Sequence, residues 1–320
     1  MARDAIMSAH RSFSACIDDY LNVRRRAGFD LRIVGNQLRE FARFAERVGH
    51  NGRLTIQLAA QWAGNSGTGR RSTAARRIEV LRPFAAYCRQ FDAATEIPPR
   101  YLFGRAHQRL APHIFTDDEV LDLLAACDGL YPTGGLRGAS CRTIFGLIAA
   151  TGLRISEATG LTRSDVDLEK RLLHIRSAKF GKSRLVPIHP TTAAAMRRYA
   201  RKRDRDSSTA NTNAFFVFDY GRPASTRSVE YAFKILRTAL KWRARGDHPA
   251  PRIHDLRHSF VCHRLQDWYA QGVDVDRNIL ALSTYLGHAK VTDTYWYETA
   301  SPELLAIAAQ RFVRHRGGSS

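Results

Sequence analysis

Thr151-Gly152-Leu153-Arg154-Ile155-Ser156-Glu157 is the stretch on which the fold turns. Just before it, Ile144, Phe145, Leu147 and Ile148 recur at helical spacing; Gly152 interrupts the pattern, and a short helical stretch resumes after Arg154. Upstream, Thr116-Asp117-Asp118-Glu119 opens a helix in the capping-box arrangement, Thr116 as cap and Glu119 three residues on, followed by Val120, Leu121, Leu123 and Leu124. Downstream, residues 172–174 and 184–186 alternate like two strands, joined by the turn Lys179-Phe180-Gly181-Lys182. Residues 229–242, 254–268, 277–285 and 302–314 then read as helices. The pattern predicts a mainly α, α+β domain that starts near His113, with one small hairpin among helices.

The first hundred residues carry helical spacing throughout. Phe13, Ile17, Tyr20 and Leu21 form one apolar stripe; Ile33, Leu38, Phe41, Phe44, Ala45 and Val48 form a second, and Ile78, Leu81, Phe84, Ala85 and Cys88 a third. Gly28, Gly49, Asn51-Gly52 and the run from Gly64 to Gly69 separate short amphipathic helices. Ser72 is the expected N-cap after that run. Arg70 and Arg71 then sit at a helix N-terminus with Arg76 and Arg77 a turn onward, which offers guanidinium and free backbone N–H groups to phosphate. Proline, glycine and charge mix without period over 97–112, so the expected domains are residues 1–110 and 111–320.

Charge narrows the partner. The 320 residues hold 50 Lys and Arg against 30 Asp and Glu, a formal net charge of +20. Residues 1–112 alone contain 19 Arg, no Lys and 9 acidic residues, and the rest of the chain carries an equal surplus. A partner lying across both parts accounts for this. Guanidinium groups bind phosphate oxygens bidentately, so the excess points to a polyanion, most simply nucleic acid. At 44% hydrophobic residues the chain has material for a packed core and is no disordered basic tail. It has no apolar run of about 18 residues, and charge is scattered through the first twenty, so a soluble, cytoplasmic and nucleoid-associated protein is expected, with no membrane partner. Five cysteines without a CxxC spacing read as buried thiols. His254 and His258 stand four apart as a zinc pair would, but Asp255 breaks the HExxH pattern and no third ligand is evident, so no metal and no cofactor is expected.

The remaining polar signatures follow in order: 151–157; Lys179 ahead of Arg184-Leu185-Val186-Pro187; His254-Asp255-Leu256-Arg257-His258; Leu286-Gly287-His288; and Tyr295-Trp296-Tyr297. Together they resemble the tyrosine recombinase (phage integrase) family, with Tyr297 nine residues beyond His288. The resemblance spans the second domain, and 38–44 in the helical N-terminal part look like the family's core-binding domain. It implies a C-shaped clamp on DNA and a site-specific recombinase that cleaves and rejoins duplex DNA through a covalent 3′-phosphotyrosyl intermediate and a Holliday junction. Residue chemistry fits: metal-free phosphodiester transfer needs a nucleophile, cations for the pentacoordinate phosphate and an acid for the leaving alkoxide.

On that reading Tyr297 is the nucleophile, its phenol, ordinarily of pKa about 10, assisted by His254 as general base. Arg154 and Arg257 clamp the non-bridging oxygens, His288 donates a further hydrogen bond and Glu157 orients Arg154 or the histidine. By resemblance Lys179 protonates the departing 5′ oxygen, with Lys182 in the same turn as its rival. Tyr295 is the rival nucleophile; two residues apart on a helix, only one of the two tyrosines can enter the site. Double-stranded DNA recombination sites are the implied partner, with four protomers on two sites and the apolar segment after Pro302 exchanged between them. With no extra arm-binding module read before residue 8, a simple recombinase is expected rather than an integrase that needs distant arm sites. A type IB topoisomerase and a catalytically silent DNA-binding protein are the alternatives.

Overall fold

The computed structural model describes residues 12–67, 69–106, 109–176 and 183–299. The chain divides into two compact units, Met1–Arg109 and Leu110–Ser320. The first is built from α1 (Phe13–Arg26), α2 (Arg32–Arg47), α3 (Ile56–Gly64) and α4 (Arg71–Arg89). Their apolar stripes meet in one core that includes Ile17, Leu21, Leu38, Phe41, Trp62, Ile78, Leu81 and Phe84. Ser12 and Thr55 cap α1 and α3, their hydroxyls accepting the backbone N–H groups of Ala15 and Leu58 at 3.3 and 3.1 Å. Ile33 and Val48, expected on the buried face of α2, are 76% and 49% exposed; they lie in the first turn and just past the last, beyond the reach of the core.

Helix α4 begins two residues earlier than Ser72 implies. Gly67 and Gly69 adopt φ of +66° and +62° ahead of Arg70, which occupies the cap position without a side-chain capping bond.

The second unit opens with α5 (Asp117–Ala126), and the expected capping box is present: Thr116 Oγ1 accepts from Glu119 N at 3.2 Å while Glu119 Oε2 accepts from Thr116 N at 2.9 Å. Next come α6 (Leu136–Thr151) and α7 (Ile155–Thr159), then a three-stranded antiparallel sheet of β1 (Val166–Asp167), β2 (Leu172–Ile175) and β3 (Arg184–Pro187), in that order. Leu173 pairs with Val186 and His174 with Leu185, so the expected hairpin is β2–β3. Strand β1, two residues long, is too short to show alternation in sequence. The turn with Lys179 and Lys182 lies outside the described residues.

Helix α8 (Pro190–Asp204), which the apolar spacing did not announce, starts with Pro190 behind the cap residue His189. Then follow α9 (Thr226–Ala239), α10 (Ile253–Ala270), α11 (Val275–Leu286) and α12 (Thr292–Tyr295), which runs into a single 3₁₀ turn, Trp296–Thr299. The segment 302–314 also lies outside the described residues. The main core gathers Phe145, Ile148, Leu173, Val186, Phe216, Phe233 and Leu256, and a smaller one gathers Val261, Cys262, Leu265, Leu286 and Tyr297. Helix α10 threads between them. It buries Asp255, Arg257 and Ser259 as well as its apolar residues, so it lacks a single polar face.

Candidate active site

Two helices end on left-handed glycines, and those ends build the site. Helix α6 closes at Gly152, with φ of +65°, and α11 at Gly287, with φ of +67°. A helix C-terminus leaves carbonyl oxygens without intrahelical partners and carries partial negative charge. Both features are used here for cations. Arg257, 1% exposed on α10, donates through Nη1 to Gly152 O at 2.5 Å and through Nη2 to Leu286 O at 3.0 Å, bridging the two helix ends. Arg154, the residue ahead of α7, donates through Nη2 to Gly287 O at 3.1 Å. The pair of guanidinium groups is thus fixed from behind by backbone oxygens. Burial, and then the neighbouring Arg154 charge, lowers the Arg257 pKa to about 10, which leaves it cationic at neutral pH.

Glycine is required twice over at both helix ends. A Cβ on Gly152 would stand 2.6 Å from Phe260 Cδ1 and 2.8 Å from Leu286 Cδ2, and one on Gly287 would stand 2.6 Å from Arg184 Nη1.

Glu157 is the anion that organises the cations. It accepts Arg154 N at 3.0 Å and Arg154 Nη1 at 2.9 Å, and it receives Arg184 bidentately at 3.0 and 2.9 Å. Burial by itself would raise its carboxyl pKa; the Arg184 hydrogen bonds, the Arg154 N–H and the two positive charges outweigh this and hold it below the usual range. Arg184 was read from sequence only as a spacing marker. The structure makes it a tether: its side chain is 12% exposed, and its Nε donates to Tyr285 O at 2.8 Å, joining β3 to the end of α11. The signal available in sequence was an arginine at an inward position of a strand.

Tyr297 is 3% exposed and lies in the 3₁₀ turn after α12. Its Oη stands 2.8 Å from His258 Nδ1, the direction of the bond following the imidazole tautomer. The His288 ring stacks parallel to the Tyr297 ring at 6.5 Å, held by a 2.7 Å contact between His288 Nδ1 and Thr294 Oγ1. His254, expected beside the phenol, stands edge-on to His258 at 4.6 Å and keeps an edge open to solvent. The imidazole on the phenol is therefore His258, one helical turn further along α10, a position the motif reading passed over. Tyr295 points elsewhere, its Oη donating to Asp276 Oδ1 at 3.2 Å.

His258 and His288 are held neutral. For His258 burial comes first and the charges of Arg252 and Arg257 add to it, lowering its pKa to about 2. For His288 burial, then Arg257 and Arg154, lower it to about 4. His254 is exposed at its outer edge, and partial desolvation, followed by the charges of Arg257 and Arg252, shifts its pKa in the same direction. Among the described residues no group of three or more His, Cys, Asp or Glu side chains is placed to hold a metal ion. No described helix is long and apolar enough to cross a membrane.

In the first unit the four expected phosphate-binding arginines separate. Arg70, Arg71 and Arg76 are exposed. Arg77 turns inward: it donates to Trp62 O at 2.8 Å, to Asn65 O at 3.0 Å and to Glu40 Oε1, with its guanidinium 4.9 Å over the Trp62 ring. Its donors tie α4 to α3 and α2, so the expectation that it faces phosphate is corrected to a role inside the unit.

Residues 113–303 match the model of the phage integrase family. The putative integrase/recombinase y4rB of Sinorhizobium fredii is 36% identical over 95% of this chain and 98% of its own length. The tyrosine recombinase XerC of Chlamydia trachomatis is 30% identical over 72% of this chain and 68% of its own. Among solved structures, the Tn1549 transposon integrase in complex with transposon right end DNA superposes with a TM-score of 0.67, at 17% identity, covering 95% of this chain and 100% of that one. Two arginines fixed on helix ends, a neutral imidazole on a buried tyrosine and these relatives agree: the chain belongs to the phage integrase family and is a tyrosine recombinase, an enzyme of site-specific DNA recombination.

Proposed function

We propose that Tyr297 attacks the scissile phosphate, leaving the 3′ phosphate on its phenol and freeing a 5′ hydroxyl. The observation that carries this is the contact between the Tyr297 phenol and a neutral imidazole of α10, beside an Arg257 guanidinium fixed on two helix ends. Arg154 and Arg257 keep N–H groups beyond those spent on backbone oxygens, and these stabilise the charge that grows on the phosphoryl oxygens. Glu157 keeps Arg154 aimed, and His288 supports the Tyr297 ring and donates to phosphate. Lys179, by resemblance, is the acid for the leaving oxygen. The phosphotyrosine conserves the phosphodiester energy, so rejoining needs no ATP.

The first unit binds the duplex with Arg70, Arg71 and Arg76, and the +20 net charge supports a polyanionic partner in the cytoplasm. Four protomers act on two sites through a four-way junction; the solved lambda integrase tetramer bound to a Holliday junction, with a TM-score of 0.63 to this chain, supports that assembly.

The test is a covalent trap in EDTA with nicked duplexes drawn from the DNA flanking the chain's own gene. An adduct that survives denaturation should form with the wild type and with Tyr295→Phe, and vanish with Tyr297→Phe while DNA binding persists. An adduct retained by Tyr297→Phe, or none on any duplex despite tight binding, sinks the reading, the second in favour of a silent DNA-binding protein.

A further inference from the structure

We infer that His258 is the proton acceptor for Tyr297. The inference rests on the reading of Tyr297 as nucleophile. Geometry comes first: a general base must lie within hydrogen-bond reach of the proton it takes, and His258 Nδ1 is 2.8 Å from Tyr297 Oη. The ring is also fixed on its other sides, edge-on to His254 at 4.6 Å and to Trp296 at 5.9 Å. With its hydrogen on Nε2, the imidazole offers Nδ1 as the acceptor.

The charges around the ring bear on the same proton transfer. The groups facing His258 are His254, Arg252 and Arg257 on or beside α10, His248 ahead of it, and Tyr297 from the 3₁₀ turn. Most charged groups there are cations or become cations on protonation, with Arg252 paired to the buried Asp255 at 2.6 Å, so an imidazolium is disfavoured and the phenol keeps its proton. A phosphodiester brought to Arg154 and Arg257 places negative charge beside those cations, and more develops as the phosphorus becomes pentacoordinate. The same imidazolium is then favoured.

The step balances. The Oη–H bond breaks and its proton moves to Nδ1, the Oη–P bond forms, and the P–O5′ bond breaks with the leaving oxygen protonated by the general acid. Rejoining returns each proton along the same path.

The experiment measures the rate of adduct formation on a nicked suicide duplex, from pH 6 to 9, for wild type, His258→Ala, His258→Asn and Tyr297→Phe, with thermal unfolding and DNA retention measured for each. Asn keeps a hydrogen-bonding group near the Nδ1 position but cannot take a proton, so it decides the matter even where the Ala variant fails to fold. Both His258 variants should bind DNA normally and react roughly 100-fold more slowly, a reduction typical of a removed general base. Their rates should climb about tenfold per pH unit, because the phenol must then ionise unaided. Added imidazole should restore part of the rate to His258→Ala. An adduct that Tyr297→Phe abolishes but both His258 variants form at the wild-type rate, with the wild-type pH profile, overturns the inference and leaves Tyr297 standing. An adduct that survives Tyr297→Phe overturns both.

Discussion

At the scale of single residues, the site depends on where main-chain oxygens are left over. Arg154 and Arg257 could be read from sequence as cations for phosphate, but what aims them is the unsatisfied carbonyls at the ends of α6 and α11. Those carbonyls are available because Gly152 and Gly287 turn the chain at positive φ. Gly152→Ala should therefore damage stability and chemistry together. A left-handed alanine costs about 1–2 kcal/mol, and pressing its Cβ against Phe260 and Leu286 adds overpacking of about 1–3 kcal/mol. A urea-unfolding midpoint that gives a loss of about 3 kcal/mol agrees with this; a loss below about 0.5 kcal/mol would mean that the α6 end relaxes freely.

At the scale of elements, four arginines clustered in eight residues of sequence divide into two kinds. Helix α4 presents Arg71 and Arg76 to solvent and Arg77 to Trp62, Asn65 and Glu40. The α-helical period does the sorting, since neighbours at 76 and 77 are about 100° apart around the axis. Arg77→Ala should destabilise the first unit by about 2 kcal/mol, because two carbonyls and a carboxylate are left without their charged donor. Arg71→Ala and Arg76→Ala should change stability by no more than about 0.5 kcal/mol. Each should instead lower the slope of log affinity against log salt for DNA by about 0.9, the change expected when one phosphate fewer is neutralised by the protein. Unfolding curves and salt titrations of the three variants separate the two roles.

At the scale of the whole molecule, a set of buried neutral imidazoles couples folding to pH. Unfolded, His258 and His288 take up protons near the ordinary 6.5; folded, they do so only near 2 and near 4. Between those values protons bind the unfolded chain preferentially. Stability that is complete above about pH 6.5 must then fall as pH drops, by up to about 1.4 kcal/mol per pH unit for each imidazole that stays neutral. Glu157 enters later: its carboxyl is held below the usual range, so its contribution is present above about 4.5 and is lost as pH falls through its lower folded value. Thermal unfolding from pH 7.5 to 5 should show the decline, and His258→Asn should flatten it. A melting temperature unchanged over that range would mean that the imidazoles protonate within the folded protein.

The sequence by itself determined the family and, α8 apart, most of the helical plan. Short signatures such as Thr151-Gly152-Leu153-Arg154 and Leu286-Gly287-His288 record local requirements, a left-handed helix end followed at once by a functional side chain, and local requirements are legible in a linear string. The apolar periods of α1, α2, α4, α6 and α11 are local in the same sense, as is the capping box of α5. Tertiary structure alone decided which imidazole meets the phenol, because His254 and His258 share one helix and only the path of the chain from α11 through α12 brings Tyr297 to the second. It decided that Arg184 crosses from β3 to Glu157 and the end of α11, and that Arg77 is spent inside its unit, since both depend on carbonyls and carboxylates distant in sequence. The physical reason is common to all three: hydrogen-bond partners and burial belong to the neighbourhood in space, and residue type and spacing specify only which side chains are available to fill it.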